Sequence, residues 1–229
     1  MGHGKRIEIN LKETEVKVRD YGRGIPLGKL VECVSSINTG AKYNDDVFQF
    51  SVGLNGVGTK AVNALSNYFL VRSHREGEFV EAEFEGGNLV REEKGETDEP
   101  NGTLVSFSPD PAIFKKFSFN PEHIARRLRF YAYLNAKLKI WFNRELFHCK
   151  GGLLDLIADE SQFEKIYPPF HVEDPTLEFA FTHTNRFSEE YYSFVNGQYT
   201  SDGGTHLSAF REGLLRGIND FSNKKFSGD

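Results

Sequence analysis

Apolar and polar residues alternate over 6–11 (Arg-Ile-Glu-Ile-Asn-Leu) and again over 15–19 (Glu-Val-Lys-Val-Arg). A period of two marks a half-buried strand, so these runs predict a hairpin turning at Lys12-Glu13-Thr14. The spacing changes over 27–37, where Leu27, Leu30, Val31, Val34 and Ile37 recur at helical intervals. Residues 38–55 keep no period and read as a long loop; loops of more than about 12–15 residues often serve as lids. A helix is predicted over 57–66, then strands over 68–74, 78–85, 88–93 and 103–107. Asn120-Pro121-Glu122 supplies a cap, a first-turn proline and an early acid for a helix running through Leu134. A hairpin around Asn143-Arg144 and a short helix at 151–157 follow. Residues 159–175 turn polar and hold Pro168, Pro169 and Pro175, a linker pattern. Strands at 176–183 and 190–195, a glycine-rich turn and a helix at 205–221 complete the pattern.

The order of elements gives an α+β class of mostly antiparallel strands with interspersed helices. No repeat is evident. Apolar residues make up 38% and charged residues 27%, enough to form a core and too little charge for wholesale disorder. No apolar run approaches the roughly 18 residues of a membrane span, and Met1–Arg6 lacks the apolar segment of a secretory signal. Two cysteines, Cys33 and Cys149, are too few for a disulfide framework and point to a reduced cytoplasmic chain. The net charge of −5 argues against a dedicated nucleic-acid-binding module, so any role with DNA rests on local patches or on other parts of a larger protein. The seven histidines show no metal-ligand spacing. The aromatics Phe114, Phe117, Phe119, Phe130, Tyr131 and Tyr133 read as core.

Glycines cluster at 22/24, 53/56/58 and 203/204. Gly53-Leu-Asn-Gly56-Val-Gly58-Thr59-Lys60 nearly matches a phosphate-binding P-loop, but Thr59 precedes Lys60, the wrong order for a lysine that must directly follow the last glycine. What survives is glycine-rich backbone at a helix start, which offers N–H groups to an anion; an ordinary loop-to-helix junction reads the same way. Asp20-Tyr21-Gly22-Arg23-Gly24 is either a turn after a strand or a carboxylate set to accept a hydrogen bond from an exocyclic amine, beside backbone that can lie flat on a base. Thr103 is either an ordinary strand threonine or a hydroxyl sharing a water with Asp20.

Taken in order, Asp20-x-Gly22-x-Gly24-Ile25-Pro26, a lid, Gly53-x-x-Gly56-x-Gly58 and Gly102-Thr103 resemble the motif set of the GHKL ATPases. Phe194-Val195-Asn196-Gly197 and Asp202-Gly203-Gly204-Thr205-His206 resemble the transducer segment of the type IIA topoisomerase ATPase subunits within that family, of the gyrase B and topoisomerase IV B kinds. Lys42-Tyr43 and Val62-Asn63-Ala64-Leu65-Ser66 fit the same subunits, and the resemblance spans essentially the whole chain. Ser51-Val52-Gly53-Leu54-Asn55 departs from the Ser-Gly-Gly-Leu-His usual in gyrase and is closer to topoisomerase IV-like subunits.

The resemblance implies a Bergerat-type ATPase sandwich of mixed sheet and helices at 1–158, followed by the start of a ribosomal-protein-S5-like transducer at 159–229. It implies ATP and Mg²⁺ as cofactors. Asp20 would recognise adenine, with Thr103 through water, and Gly22, Gly24, Ile25 and Pro26 would line the base pocket. Lys42 and the Gly53, Leu54, Asn55, Gly56, Val57 and Gly58 segment would meet the phosphates, and Arg75 would stand at the rim, although Arg-Glu-Gly is also a common hairpin turn. The implied partners are DNA, a partner A subunit and a second copy of the same chain, with no membrane; ATP would drive passage of one duplex through another. The family's water-activating Glu and Mg²⁺-binding Asn are expected upstream of Met1 and its γ-phosphate lysine beyond Asp229, so no catalytic residue or metal ligand is assigned and the chain alone is expected to be monomeric and inactive. Two alternatives remain at this point: another GHKL ATPase, of the mismatch-repair kind, and a non-catalytic nucleotide-binding fragment.

Overall fold

The computed structural model describes residues 4–36 and 56–226. By compactness the chain falls into two units, Met1–Asn185 and Arg186–Asp229.

In the first unit, β1 (Arg6–Lys12) and β2 (Glu15–Asp20) form the predicted hairpin. The helical pattern at 27–37 appears as a 3-10 turn, Leu27–Lys29, running into α1 (Leu30–Ser35). After α2 (Gly58–Ala64) come β3 (Ser66–Arg75), β4 (Glu78–Glu85), β5 (Asn88–Glu96) and β6 (Gly102–Pro109). Then α3 (Pro121–Leu134) precedes the hairpin of β7 (Lys139–Phe142) and β8 (Glu145–Phe147), and α4 (Leu153–Glu160) follows. Asn120 caps α3 as expected: its side-chain oxygen accepts from the backbone N–H groups of Glu122 and His123 at 2.9 and 3.2 Å. Asn143 takes the left-handed conformation at the β7–β8 turn (φ 53°), which asparagine tolerates better than most residues. Its Oδ1 also accepts from the Leu11 N–H at 2.9 Å, pinning the turn to β1.

These eight strands make one sheet in the order β5-β4-β3-β6-β2-β1-β7-β8. All its pairs are antiparallel except β1 with β7. The register lines up an apolar row across it: Phe142, Ile9, Val18, Val105, Val71 and Ala82 are successive partners. Helices cover this face. Leu30 and Val34 of α1 pack with Phe69, Val71, Ala82 and Phe84, joined by Val62 of α2. Toward the other end, Ile124, Leu128 and Ala132 of α3 pack with Ile9, Leu11, Ile140, Phe142 and Phe147. The adjacent residues point the other way and form a charged row, Glu8, Arg19, Arg72, Glu81 and Glu93, interrupted by Leu104. An antiparallel sheet with one packed and one solvated face produces this alternation. At the outer edge β5 is exposed throughout and carries Arg91-Glu-Glu-Lys94; charge on an edge strand discourages pairing with another chain.

Three expectations need correction. The linker pattern at 159–175 contains a strand, β9 (Phe170–Glu173), paired with β10 (Glu178–Phe181), because Phe170-His-Val-Glu has an apolar alternation that finds a partner across the turn. The strand predicted over 190–195 shrinks to β11 (Phe194–Val195), paired with β12 (Gln198–Tyr199). Asn196 and Gly197 both have positive φ, 49° and 81°, as a tight two-residue hairpin turn requires. Of the aromatics read as core, Phe130 and Tyr133 are buried but Phe117 and Tyr131 are exposed. Tyr131 follows Phe130 on the helix and so faces outward, while Phe114, Phe117 and Phe119 stack on one another beside Phe107. The second unit closes with α5 (Thr205–Phe226), longer than the 205–221 predicted.

Candidate functional site

One row further along the covered face, the apolar pattern breaks. Ile140 pairs with Ile7, Ile7 with Asp20, Thr103 with Ser73, and Ser73 with Val80. The β2–β6 register ends at Arg19–Leu104, and one step beyond it sets Asp20 beside Thr103. Three polar side chains, Asp20, Thr103 and Ser73, therefore interrupt a row whose flanks are isoleucine and valine. A polar interruption of a helix-covered face is costly unless it is used.

The segment Gly22-Arg23-Gly24-Ile25-Pro26 packs against that break. Gly24 has φ +75°, and a Cβ there would lie 2.6 Å from the His74 carbonyl oxygen and 2.9 Å from Ser73 Oγ. No side chain fits so close an approach of backbone to β3. Ser73, fully buried, donates to the Ile25 carbonyl at 2.7 Å and holds the segment down. The Gly22 N–H donates to Asp20 Oδ1 at 2.8 Å. Among the described residues the other carboxylate oxygen, Oδ2, has no hydrogen-bond partner, so it is an acceptor open to a ligand donor; this fits an exocyclic amine. The structure thus brings Asp20, Gly22, Gly24, Ile25, Pro26 and Thr103 together.

Arg75 ends β3 at the rim, its Nε 3.3 Å from Glu76 Oε1. With Tyr21, Gly22, Arg23, Pro100 and Asn101 it lines a cavity of about 430 Å³. The Glu76 N–H donates to Asn101 Oδ1 at 2.9 Å, tying the β3–β4 turn to the strand entrance at Gly102.

The segment expected to bind an anion is only partly within the described residues. Lys42, Gly53, Leu54 and Asn55, and with them the lid expected at 38–55, lie outside the described residues. Gly56 has φ +58°, Val57 precedes α2, and Gly58 is its first residue. Lys60 is buried and donates to the Gly56 carbonyl at 2.8 Å, so it braces the glycine segment from within, consistent with the broken P-loop order. Among the described residues no group of three His, Cys, Asp or Glu side chains could hold a metal ion.

Sequence reasoning passed over several residues of this site. Ser73 could have been found as a polar residue two positions after Val71, on the inward-facing alternation of β3. Arg19 and His74 carried no signal, because charged and polar residues on alternate strand positions usually face water. Here His74 is buried, and its imidazole is held below the usual histidine range by burial and then by the charges of Arg19 and Arg72, with Glu99 and Glu81 opposing.

The family profile described as DNA gyrase B matches residues 132–227. Over 99% of its length the chain is 54% identical to the DNA topoisomerase 4 B subunit of Borreliella burgdorferi, and over 97% it is 34% identical to the DNA gyrase B subunit of Thermotoga maritima. The chain spans 38% of the first relative and 40% of the second. The crystal structure of the 43K ATPase domain of Thermus thermophilus gyrase B, in complex with an aminocoumarin, superposes with a TM-score of 0.77 at 30% identity, covering 100% of this chain and 64% of that one. The ATPase region of Saccharomyces cerevisiae topoisomerase II shares the fold, with a TM-score of 0.79 at 20% identity. These likenesses favour the topoisomerase reading over the mismatch-repair alternative, and they match the expected sandwich of mixed sheet and helices.

Proposed function

The chain belongs to the family of type IIA topoisomerase B subunits, and from that premise we propose that it is the ATP-binding region of a type II DNA topoisomerase, whose ATP binding and hydrolysis drive passage of one DNA duplex through another. The observation that carries this reading is the polar break in the covered face. Asp20 offers a fixed acceptor to the adenine amine, Thr103 lies beside it, and glycine backbone from Gly22 to Gly24 leaves room for a flat base. Arg75 and Arg23 line the cavity beside Gly22. The Gly53–Gly58 segment and Lys42 would take the phosphates, with Mg²⁺ offsetting their charge when bound. Residues 159–229 are read as the start of the transducer, supported by the profile match over 132–227. DNA, a partner A subunit and a second copy of the same chain are the proposed partners. Among the described residues no helix is long and apolar enough to cross a membrane, and the site of action is proposed to be the cytoplasm.

Calorimetric titration with ADP tests the reading. Asp20→Asn replaces an acceptor with an amide that presents a donor to the adenine amine, and it should weaken binding about tenfold to a hundredfold, the worth of a hydrogen bond to a charged group. The aminocoumarin bound by the Thermus thermophilus relative should compete with ADP for this chain. Unchanged affinity in Asp20→Asn would remove the adenine-site assignment.

A further inference from the structure

Arg19 is nine-tenths buried on the solvated face of the sheet, behind Asp20. Among the described residues no carboxylate pairs with it. A buried charge is costly unless its donors are satisfied. Its donors go to backbone: Nη1 to the Asp20 carbonyl at 2.8 Å and Nη2 to the Pro100 carbonyl at 2.5 Å. One planar guanidinium thereby joins the end of β2, which carries the carboxylate, to the segment that enters β6 at Gly102-Thr103.

The junction is tight. The β2–β6 ladder stops at Arg19–Leu104, and beyond it the guanidinium takes over the bridging. Gly102 has φ +141°, and a Cβ there would fall 2.1 Å from the Asp20 carbonyl oxygen and 2.6 Å from Arg19 Nη1. Only glycine lets the two strands approach this closely. On the other side, the guanidinium groups of Arg19 and Arg6 both lie over the Tyr21 ring, 4.9 and 5.1 Å from its centre, and the Tyr21 hydroxyl donates to Glu8 at 3.1 Å. The segments on both sides of Asp20 are braced by cations that do not themselves line the cavity, while the Gly22 N–H fixes one oxygen of the carboxylate.

We propose that Arg19 is the positioning residue for base discrimination, holding the Asp20 carboxylate where it accepts from a 6-amino purine and repels a 6-oxo purine. This rests on the reading of Asp20 as the adenine acceptor. A rigid carboxylate discriminates strongly, because the oxo base brings an acceptor against an acceptor. One freed to swing accommodates both bases through water. Lysine in place of Arg19 keeps the charge but reaches only one of the two carbonyls, since the bidentate geometry belongs to the guanidinium.

The test is the ratio of affinities for ADP and IDP, titrated calorimetrically against the 229-residue chain and its Arg19→Lys, Arg19→Met and Asp20→Asn variants. The wild type should prefer ADP, and Asp20→Asn should abolish the preference. Arg19→Met should cut it by about tenfold, on the scale of one charged hydrogen bond, with Arg19→Lys between. A merely structural role would weaken both nucleotides equally, so an unchanged ratio in Arg19→Met overturns the proposal. Should that variant fail to give a cooperative thermal transition, Arg19→Lys decides: a wild-type ratio there overturns it equally. No preference in the wild type, or an unmoved ratio in Asp20→Asn, instead defeats the adenine reading on which the proposal stands.

Discussion

In the first unit Phe69, Val71, Ala82 and Phe84 are sealed between a sheet and two helices, whereas from Arg186 onward no described residue is buried. The second unit is a two-pair hairpin and a helix of 22 residues. Along that helix Leu215 and Ile218 stand 60% and 54% exposed. Polar and aromatic contacts hold it locally: Ser193 Oγ lies 2.6 Å from His206 Nε2, Arg211 pairs with Glu189 at 2.8 Å, and the same guanidinium sits over Tyr191. The first unit can therefore hold strained backbone and a polar break in its packed face, because its core over-determines the strand positions. Among its described residues the second shows no buried core to do so, and isolated helices are marginal in water.

The largest effect should come from deleting core volume. Phe84→Ala removes a ring packed edge-on against Phe69 at 5.9 Å and should cost about 3–5 kcal/mol in urea unfolding of the first unit. A loss below about 1 kcal/mol would mean that the sheet and helices collapse readily onto the gap, and the contrast between units would fail.

Gly24→Ala comes next. Its Cβ meets backbone, the His74 carbonyl, at a φ of +75°, so the segment must shift at a cost of about 1–3 kcal/mol. The sharper readout is nucleotide affinity, which should fall more than the stability loss explains, because the shift moves the backbone that faces the base. Binding that tracks stability alone would count against the packed segment as part of the pocket.

Acid should weaken the first unit through His74. Its folded pKa lies below that of the unfolded chain, near 6.5, so the unfolded state binds the proton more readily. The contribution is complete above that value and is lost as pH falls below it toward the depressed folded pKa. The urea midpoint should drop between pH 7.5 and 5, and His74→Phe, a ring that does not titrate, should flatten part of the drop. Identical slopes in the two proteins would show that His74 protonates without penalty.

The smallest change should follow from Leu215→Ser. The side chain is already largely in water, so its replacement in this chain should shift stability by no more than about 0.5 kcal/mol. A loss near that of Phe84→Ala would reveal a packed second unit and erase the comparison.

Much of the first unit was legible in the sequence. The alternation at 6–11 and 15–19, the Asn120 cap and the Asn143 turn act over a few residues, and each formed where the pattern set it. The strand at Phe170–Glu173 was obscured by the prolines around it, since its partner at Glu178–Phe181 lies across a turn rather than within the run. The chemistry of Asp20, Gly24 and Thr103 was visible only as motifs in order, each with an ordinary local explanation.

What the sequence determined by itself is therefore local: which stretches pleat, which coil, and where glycine must take a conformation other residues avoid. Only the tertiary structure decided that Asp20, Thr103 and Ser73 share a row, because strands β2, β6 and β3 become neighbours through a sheet order that does not follow the chain. It also decided that Arg19, one of many arginines on alternating strand positions, would be buried against two carbonyls, one of them distant in sequence. The physical reason is that the hydrophobic pattern specifies which face a residue takes, whereas the register between strands, set by packing the whole face at once, specifies which residue it meets.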